Sequence, residues 1–378
     1  MSSILKLQKH AGWRWTMGGL VMVLWLGLGC ASSSTQERAE TQGPHEEEME
    51  TFRSSDEDLP EIEICFDAPL PEGLEEQGFE GRGARMSSSM TPRHAASDTM
   101  TTPGLSVVLD AEFSYGPMIK DLEHQEVEIW IDDCGDEMRL LARGATDDDG
   151  EIHIALGANE VPDLGEYRLL FRLTGDGTKA ESTLRVYPRG TKIVVFDIDG
   201  TLTTGHRTTV ADFFADVGRV FGLSSYAPSL RPGAPEVTRK RVHDQGYVAV
   251  YITGRPFWMT ERTRIWMQYY GFARGHMRTT SGWGEWFPSQ GGVGEYKLDY
   301  LRVLRDRGFE IAAFYGNAET DRWAYQLAGG YPGEMFFVGG IEDDGLTHLG
   351  EGYLKHIQKL KKVQTRANQP FRYPSGME

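Results

Sequence analysis

An α/β architecture with a β-sandwich in front of it is predicted by two patterns. Beyond Gly190, apolar runs alternate with helical stretches, the mark of a parallel sheet wrapped by helices. Between about Leu105 and Pro188 the runs are short, alternate apolar with polar, and are separated by turn clusters. The 378 residues allow two or three domains, and 39% apolar and 11% aromatic residues with nine Trp exclude disorder throughout. Net charge is −17 but uneven: residues 31 to 80 hold sixteen Asp/Glu against Arg38 and Arg53. With the rest nearly neutral, there is no basic field and no nucleic-acid binder. Three cysteines exclude a disulfide-rich scaffold and a four-cysteine zinc site.

In chain order, Lys6, Lys9 and Arg14 precede an apolar run from Met17 to Gly29, thirteen residues against the roughly 20 needed to span a bilayer. Residues 1–30 therefore read as a signal peptide and the mature chain as exported. The run ends Leu26-Gly27-Leu28-Gly29-Cys30 before Ala31, which resembles the bacterial lipoprotein signal, where the cysteine is lipidated after cleavage. That family prefers Leu three residues before the cysteine, where Gly27 stands here, and an ordinary signal peptide is the rival reading. Lipidated Cys30 would anchor the chain to a membrane of the cell envelope. Residues 31–102 read as an acidic, disordered tether, interrupted by Ile62, Ile64 and Phe66, which alternate like an amphipathic strand. Cys65 and Cys134 are left to pair or stay apart.

Residues 103–189 are expected to form the sandwich from six strands: Leu105 to Phe113, Glu126 to Asp132, Met138 to Ala142, Glu151 to Ala155, Glu166 to Leu173 and Glu181 to Tyr187. Asp147-Asp148-Asp149-Gly150 reads as a hairpin turn; as a calcium loop it lacks the later bidentate Glu. Residues 190–365 follow as an α/β, Rossmann-like domain, with 366–378 as a tail. Its strands are Ile193 to Phe196, Val248 to Ile252, Ile311 to Tyr315 and Met335 to Val338; its helices include one opened by Pro235, Thr260 to Tyr270, and Glu295 to Arg307.

Polar residues follow these strands: Asp197 to Thr201, then Thr253-Gly254-Arg255, then Gly316-Asn317 through Asp321. Ligands of open α/β sheets bind outside the carboxyl ends of the strands, so the three clusters should share one crevice. Asp197 and Asp199, two apart on a strand, point the same way and crowd unless a cation offsets them. A hard divalent ion such as Mg²⁺ suits oxygen ligands. Gly200 permits a sharp turn, Thr253 brings a hydroxyl, Lys297 a point charge, and Asn317 and Asp321 further oxygens. The set suits phosphoryl transfer through a covalent aspartyl intermediate.

Asp197-Ile198-Asp199-Gly200-Thr201-Leu202-Thr203, Thr253, Lys297 and Asn317 to Asp321 resemble, in order, the four motifs of the haloacid dehalogenase superfamily. Tyr251-Ile252-Thr253-Gly254-Arg255-Pro256, Tyr296-Lys297-Leu298 and Phe314 to Asp321, with Trp323-Ala324-Tyr325, are similar to the catalytic half of lipins. Lipins are Mg²⁺-dependent phosphatidate phosphatases in which an immunoglobulin-like β domain accompanies the catalytic one. The resemblance covers about residues 190 to 340. Lipins dock on membranes through an amphipathic N-terminal helix that this sequence lacks, a part a lipid on Cys30 could take.

The resemblance implies that Asp197 is the nucleophile and Asp199 the general acid and base. Mg²⁺ would be held by Asp197, Asp199 through its backbone carbonyl, Asp321 and Asn317. Phosphoryl oxygens would be held by Thr253, Gly254 and Lys297, with Arg255 contacting a ligand phosphate bidentately. Rival readings are an acidic turn for the Asp motif, a solvated helix residue for Lys297, and a helix-entry residue for Arg255. Trp283, Trp286 and Phe287 read as packing over the sheet or as an interfacial patch; Lys355, Lys359 and Lys362 read as an exposed helix stripe or a contact for anionic lipid. Three functions compete: a tethered phosphatase acting on phosphatidate, an exported phosphatase for soluble phosphomonoesters, and a phosphatidate-binding module without turnover. The last resembles domains of phosphatidylinositol transfer proteins, which lack the catalytic aspartates.

Overall fold

The structure is a computed structural model that describes residues 59–79, 81–116, 120–204, 228–280, 290–339, 346–360 and 369–374. The signal segment with Cys30, residues 31–58, Trp283, Trp286, Phe287 and Lys362 lie outside the described residues.

The first layer pair is a sandwich. Its strands are β1 (Glu63–Cys65), β2 (Ala95–Ala96), β3 (Thr99–Thr101), β4 (Val107–Glu112), β5 (Ser114–Tyr115), β6 (Lys120–Asp121), β7 (Glu126–Ile131), β8 (Arg139–Ala145), β9 (Glu151–Leu156), β10 (Gly165–Leu173) and β11 (Lys179–Val186), with a short helix α1 (Arg82–Ser87) before β2. One sheet runs β3-β11-β10-β7-β8 with β1 added parallel to β10; the other runs β2-β4-β9, and β5 and β6 form a small ribbon. Alternation explains the pairing: Val127, Ile129 and Ile131 of β7, Leu169, Phe171 and Leu173 of β10 and Leu109 of β4 all point into one core. The Asp147 to Gly150 turn is not a hairpin, because β8 and β9 belong to different sheets. The Asp147 carboxylate accepts the N–H groups of Asp149 and Glu151, both at 2.9 Å, and so turns the chain from one sheet to the other.

The tether does not extend through residues 59–102. Ile62 is buried in the core of the following domain, β1 to β3 are paired strands, and Cys65 is bonded to Cys134 with Cα atoms 4.8 Å apart. Net acidity misled because the acids of residues 59–79 stay exposed while Ile62, Cys65, Ala68 and Phe79 among them are buried. Residues 369–374 are no free tail either. Phe371 stacks on Tyr187 at 5.0 Å, and the Arg372 amide donates to the Pro60 carbonyl.

The second half is one six-stranded, all-parallel sheet in the order β14-β13-β12-β15-β16-β17. Its strands are β12 (Lys192–Asp197), β13 (Val248–Pro256), β14 (Gly275–Thr280), β15 (Glu310–Gly316), β16 (Met335–Phe337) and β17 (Thr347–His348). The helices are α2 (Ala234–Arg239), α3 (Thr260–Tyr269), α4 (Glu295–Asp306), α5 (Glu319–Leu327) and α6 (Leu354–Lys359). Both faces of β12 are covered, as a period of two requires. Ile193 and Val195 pack with Leu298, Leu301 and Leu304 of α4, while Val194 and Phe196 pack with α2 and α3 on the other side. Burial on two faces keeps the middle of the central strands apolar and gathers their reactive polar side chains at the carboxyl ends.

Candidate active site

Three adjacent strands, β13, β12 and β15, bring their carboxyl ends together. Asp197 is the last residue of β12, Thr253 to Arg255 lie near the end of β13, and Asn317 follows β15 just before α5, which carries Asp321. Lys297 stands in the first turn of α4, its backbone facing the core between Tyr296 and Leu298.

The amphipathic pattern of α4 leaves Lys297 buried, at 2% exposed, rather than solvated. Its ammonium sits 2.6 Å from Asp197 Oδ1 and 2.6 Å from Asp321 Oδ1. Asp321 Oδ2 accepts the backbone N–H groups of Asn317 and Ala318, both at 3.0 Å, which fixes its carboxylate at the start of α5. The second oxygen of Asp197 accepts the Thr201 hydroxyl at 2.7 Å. Burial, joined by the charges of Asp321 and Asp199, pushes Asp197 up to about 7 against the pull of Lys297. Burial works against the charge of Lys297, but the two carboxylates more than offset it and hold the ammonium protonated. The two rises differ in cause, chiefly burial for Asp197 and the two flanking carboxylates for Lys297.

Asp199 finds its partners on β13 instead. Thr253 Oγ1 donates to it at 3.0 Å, and Arg255 forks onto its two oxygens through Nε and Nη2 at 2.9–3.2 Å. Arg255, 1% exposed, also donates from Nη1 to Thr263 at 2.9 Å. The bidentate partner of Arg255 in this structure is Asp199. Gly254 lies against Val293, where a Cβ would come within 2.9 Å. Gly200 has φ 83°, and a Cβ there would collide with the Asn317 amide, so the close approach of the two loops requires glycine.

That amide tests the site for a cation. With its nitrogen turned inward, Asn317 donates to Asp197 Oδ2 at 3.3 Å, to the Asp199 carbonyl at 3.1 Å and to Thr201 Oγ1 at 3.0 Å. Since the Thr201 hydroxyl gives its own proton to Asp197, it can accept here. Three hard oxygens thus converge on one donor, with the Asp321 carboxylate across Lys297 from Asp197. The donor set fits a small divalent cation, with Asn317 able to present its oxygen once that cation, not its N–H, meets the Asp197 carboxylate and the Asp199 carbonyl.

Sequence reasoning passed over Thr201, Thr263, Arg231 and Tyr353. Thr201 stood inside the first motif and could have been found by its spacing from Asp197. Arg231 and Tyr353 belong to no local pattern, and only the fold brings them to the loop at Gly200.

Residues 194–339 match the family model of the LNS2 domain of PITM 1-3, and residues 92–186 match that of the PITM 1-3 beta-sandwich domain. Protein retinal degeneration B of Drosophila melanogaster is 28% identical over 282 residues, 73% of this chain and 21% of that protein. Human membrane-associated phosphatidylinositol transfer protein 3 is 30% identical over 283 residues, 72% of this chain and 26% of its own length; human protein 1 of that name is 26% identical over 279 residues, 72% and 21%. The chain is homologous to these proteins through its sandwich and sheet domains, and spans about a fifth to a quarter of their length. Among the described residues no helix is long and apolar enough to cross a membrane.

Proposed function

We propose that this homologue of lipid transfer proteins is a Mg²⁺-dependent phosphatase with haloacid dehalogenase chemistry, hydrolysing phosphatidate to diacylglycerol at a membrane surface. The observation that carries the reading is the division of labour between two aspartates. Asp197 lies on the Lys297 ammonium beside Asp321, and Asp199 lies apart from it on Thr253 and Arg255. One carboxylate is held for attack and the other for proton transfer.

In this reading Asp197 attacks the phosphorus, the bond to the glycerol oxygen breaks, and Asp199 gives that oxygen a proton. Asp199 then takes a proton from water as its oxygen attacks the phospho-aspartate, and the bond to Asp197 breaks to release phosphate. Lys297 and Thr253 stand beside the two aspartates to hold phosphoryl oxygens. Mg²⁺ held by Asp197, the Asp199 carbonyl, Asp321 and Asn317 would supply charge neutralisation and Lewis-acid polarisation of a phosphoryl oxygen. Arg255 forks onto both oxygens of Asp199, so that contact must loosen for Asp199 to carry and donate its proton. The Cys65–Cys134 disulfide supports folding in an oxidising compartment, in keeping with export and with an anchor at Cys30.

Two other readings use the same crevice: a soluble phosphomonoester as substrate, and phosphatidate binding without turnover; the name of a human homologue, a phosphatidylinositol transfer protein, supports lipid binding without hydrolysis. Phosphate release is measured from phosphatidate micelles and from a water-soluble monoester, with Mg²⁺ and with chelator, for the wild type and Asp197→Asn. The proposal expects Mg²⁺-dependent release, faster from phosphatidate and absent in Asp197→Asn. Equal rates on the soluble ester favour the second reading. Vesicle binding without release establishes the third and sinks the proposal.

A further inference from the structure

Arg231 is among the largest fully buried side chains, 1% exposed, yet its guanidinium reaches backbone carbonyls rather than a buried carboxylate. Nη2 donates to Gly200 O at 2.6 Å, Nε to Thr201 O at 3.1 Å and Nη1 to Glu351 O at 3.1 Å. The carboxylate it pairs with, that of Glu351, is 89% exposed and 3.6 Å away. From α6's side, the buried hydroxyl of Tyr353 donates to the same Thr201 carbonyl at 3.0 Å. The Arg231 amide also donates to Leu202 O at 2.9 Å. Every one of these bonds to residues 200–202 ends on the loop that leaves Asp197.

Burying a guanidinium on neutral acceptors is costly unless charge nearby offsets it. The charge nearby is that of the crevice, since the loop that Arg231 holds follows Asp197 and carries Asp199. The planar fork also fits its surroundings, because three carbonyls from two chain segments are met by three separate N–H directions, which a lysine cannot present. The consequence runs through Thr201. Its carbonyl is held by Arg231 and Tyr353, while its hydroxyl donates to Asp197 Oδ2 at 2.7 Å.

We propose that Arg231 and Tyr353 are positioning residues that clamp the Gly200–Thr201 backbone and so hold Asp197 in its attacking arrangement. This rests on the phosphatase reading for its effect on rate, but the clamp itself is testable without turnover. Arg231→Gln, Arg231→Lys and Tyr353→Phe are compared with the wild type as purified folded chains. Displacement by about an ångström costs on the order of a hundredfold in rate. Arg231→Gln is therefore expected to lose about 10- to 100-fold in kcat with KM within about twofold, Arg231→Lys to recover part of it, and Tyr353→Phe to lose a few-fold. In parallel, amide exchange at residues 199–203 should quicken in Arg231→Gln while β12 and β13 keep wild-type protection. A lowered Tm with unchanged kcat per folded molecule, or unchanged exchange at the loop, overturns the clamp. If Arg231→Gln does not fold, Arg231→Lys and Tyr353→Phe decide by the same two measurements. A wild type that releases no phosphate refutes the phosphatase reading, and the exchange measurement then decides the clamp alone.

Discussion

Lys297 shows how much one side chain can carry. It is buried, and two carboxylates at 2.6 Å depend on its charge. Lys297→Met would leave Asp197 and Asp321 facing each other uncompensated, so it should cost about 3–5 kcal/mol in denaturant unfolding and abolish phosphate release. Equal stability would show that the aspartates do not rely on this ammonium. From sequence, Lys297 could be found only by its place between motifs; its burial follows from α4 turning Leu298, Leu301 and Leu304 to the sheet. A second buried acid makes a pH prediction. Glu112 lines the junction of the sandwich with the parallel-sheet domain; its Oε2 has no hydrogen-bond partner among the described residues, and burial, with Glu151, Asp121, Asp147 and Asp149, pushes it up to about 10. The folded chain therefore keeps a proton that the unfolded chain releases near its ordinary value of 4.5, and stability falls as pH rises between these values. Glu112→Gln should raise Tm at neutral pH and flatten its fall from about pH 5 to about pH 8; an unchanged slope would contradict the assignment.

At the level of elements, the strands with regular alternation or continuous apolar runs were legible: β7, β10, β11, β12, β13 and β15 all lie within a few residues of expectation. β14 was not, because Gly275-His276-Met277-Arg278-Thr279-Thr280 mixes polar and apolar residues without a period. Its polarity has a structural use. It is the edge strand against the sandwich, its Met277 amide donates to Asp98 at 3.0 Å, and Arg185 donates to its Gly275 carbonyl at 3.1 Å. β1 was half legible, since the alternation of Ile62 and Ile64 was visible but its acidic surroundings argued for a tether. The disulfide accounts for the difference by tying β1 to the turn after β7. Replacing both Cys65 and Cys134 by Ser should lower unfolding stability by about 2–4 kcal/mol, read from the denaturant midpoint, with kcat preserved. A midpoint equal to wild type would mean that β1 is held by its pairing with β10 alone.

On the scale of the whole molecule, the sandwich and the parallel sheet share a polar junction. Asp98 accepts from Arg185 at 3.0 Å, Arg264 at 2.7 Å and the amides of Thr183 and Met277 at 3.0 Å, so strands of one domain and a helix and strand of the other meet on one carboxylate. Nothing in the sequence marks Asp98, because its partners come from distant segments. Asp98→Ala should destabilise the chain by about 3–5 kcal/mol through unpaired buried arginines, yet leave kcat per folded molecule within about twofold. A collapse of kcat at wild-type stability would place the sandwich in the chemistry itself. The gathering of Asp197, Thr253, Asn317 and Asp321, by contrast, was legible, since it follows from their places at or after the carboxyl ends of adjacent strands. What the sequence left hidden there, Thr201, Arg231 and the Arg255 fork on Asp199, depends on side-chain direction.

The claim on which the rest stands is that Asp197 takes the phosphoryl group. Turnover of phosphatidate with Mg²⁺ is quenched while in progress, the chain is reduced with borohydride, which converts an acyl phosphate to an alcohol, and its peptides are sequenced by mass spectrometry. Homoserine in place of Asp197, absent without substrate, is the result expected. Phosphate release with Asp197 unaltered, or reduction at another residue, would contradict it.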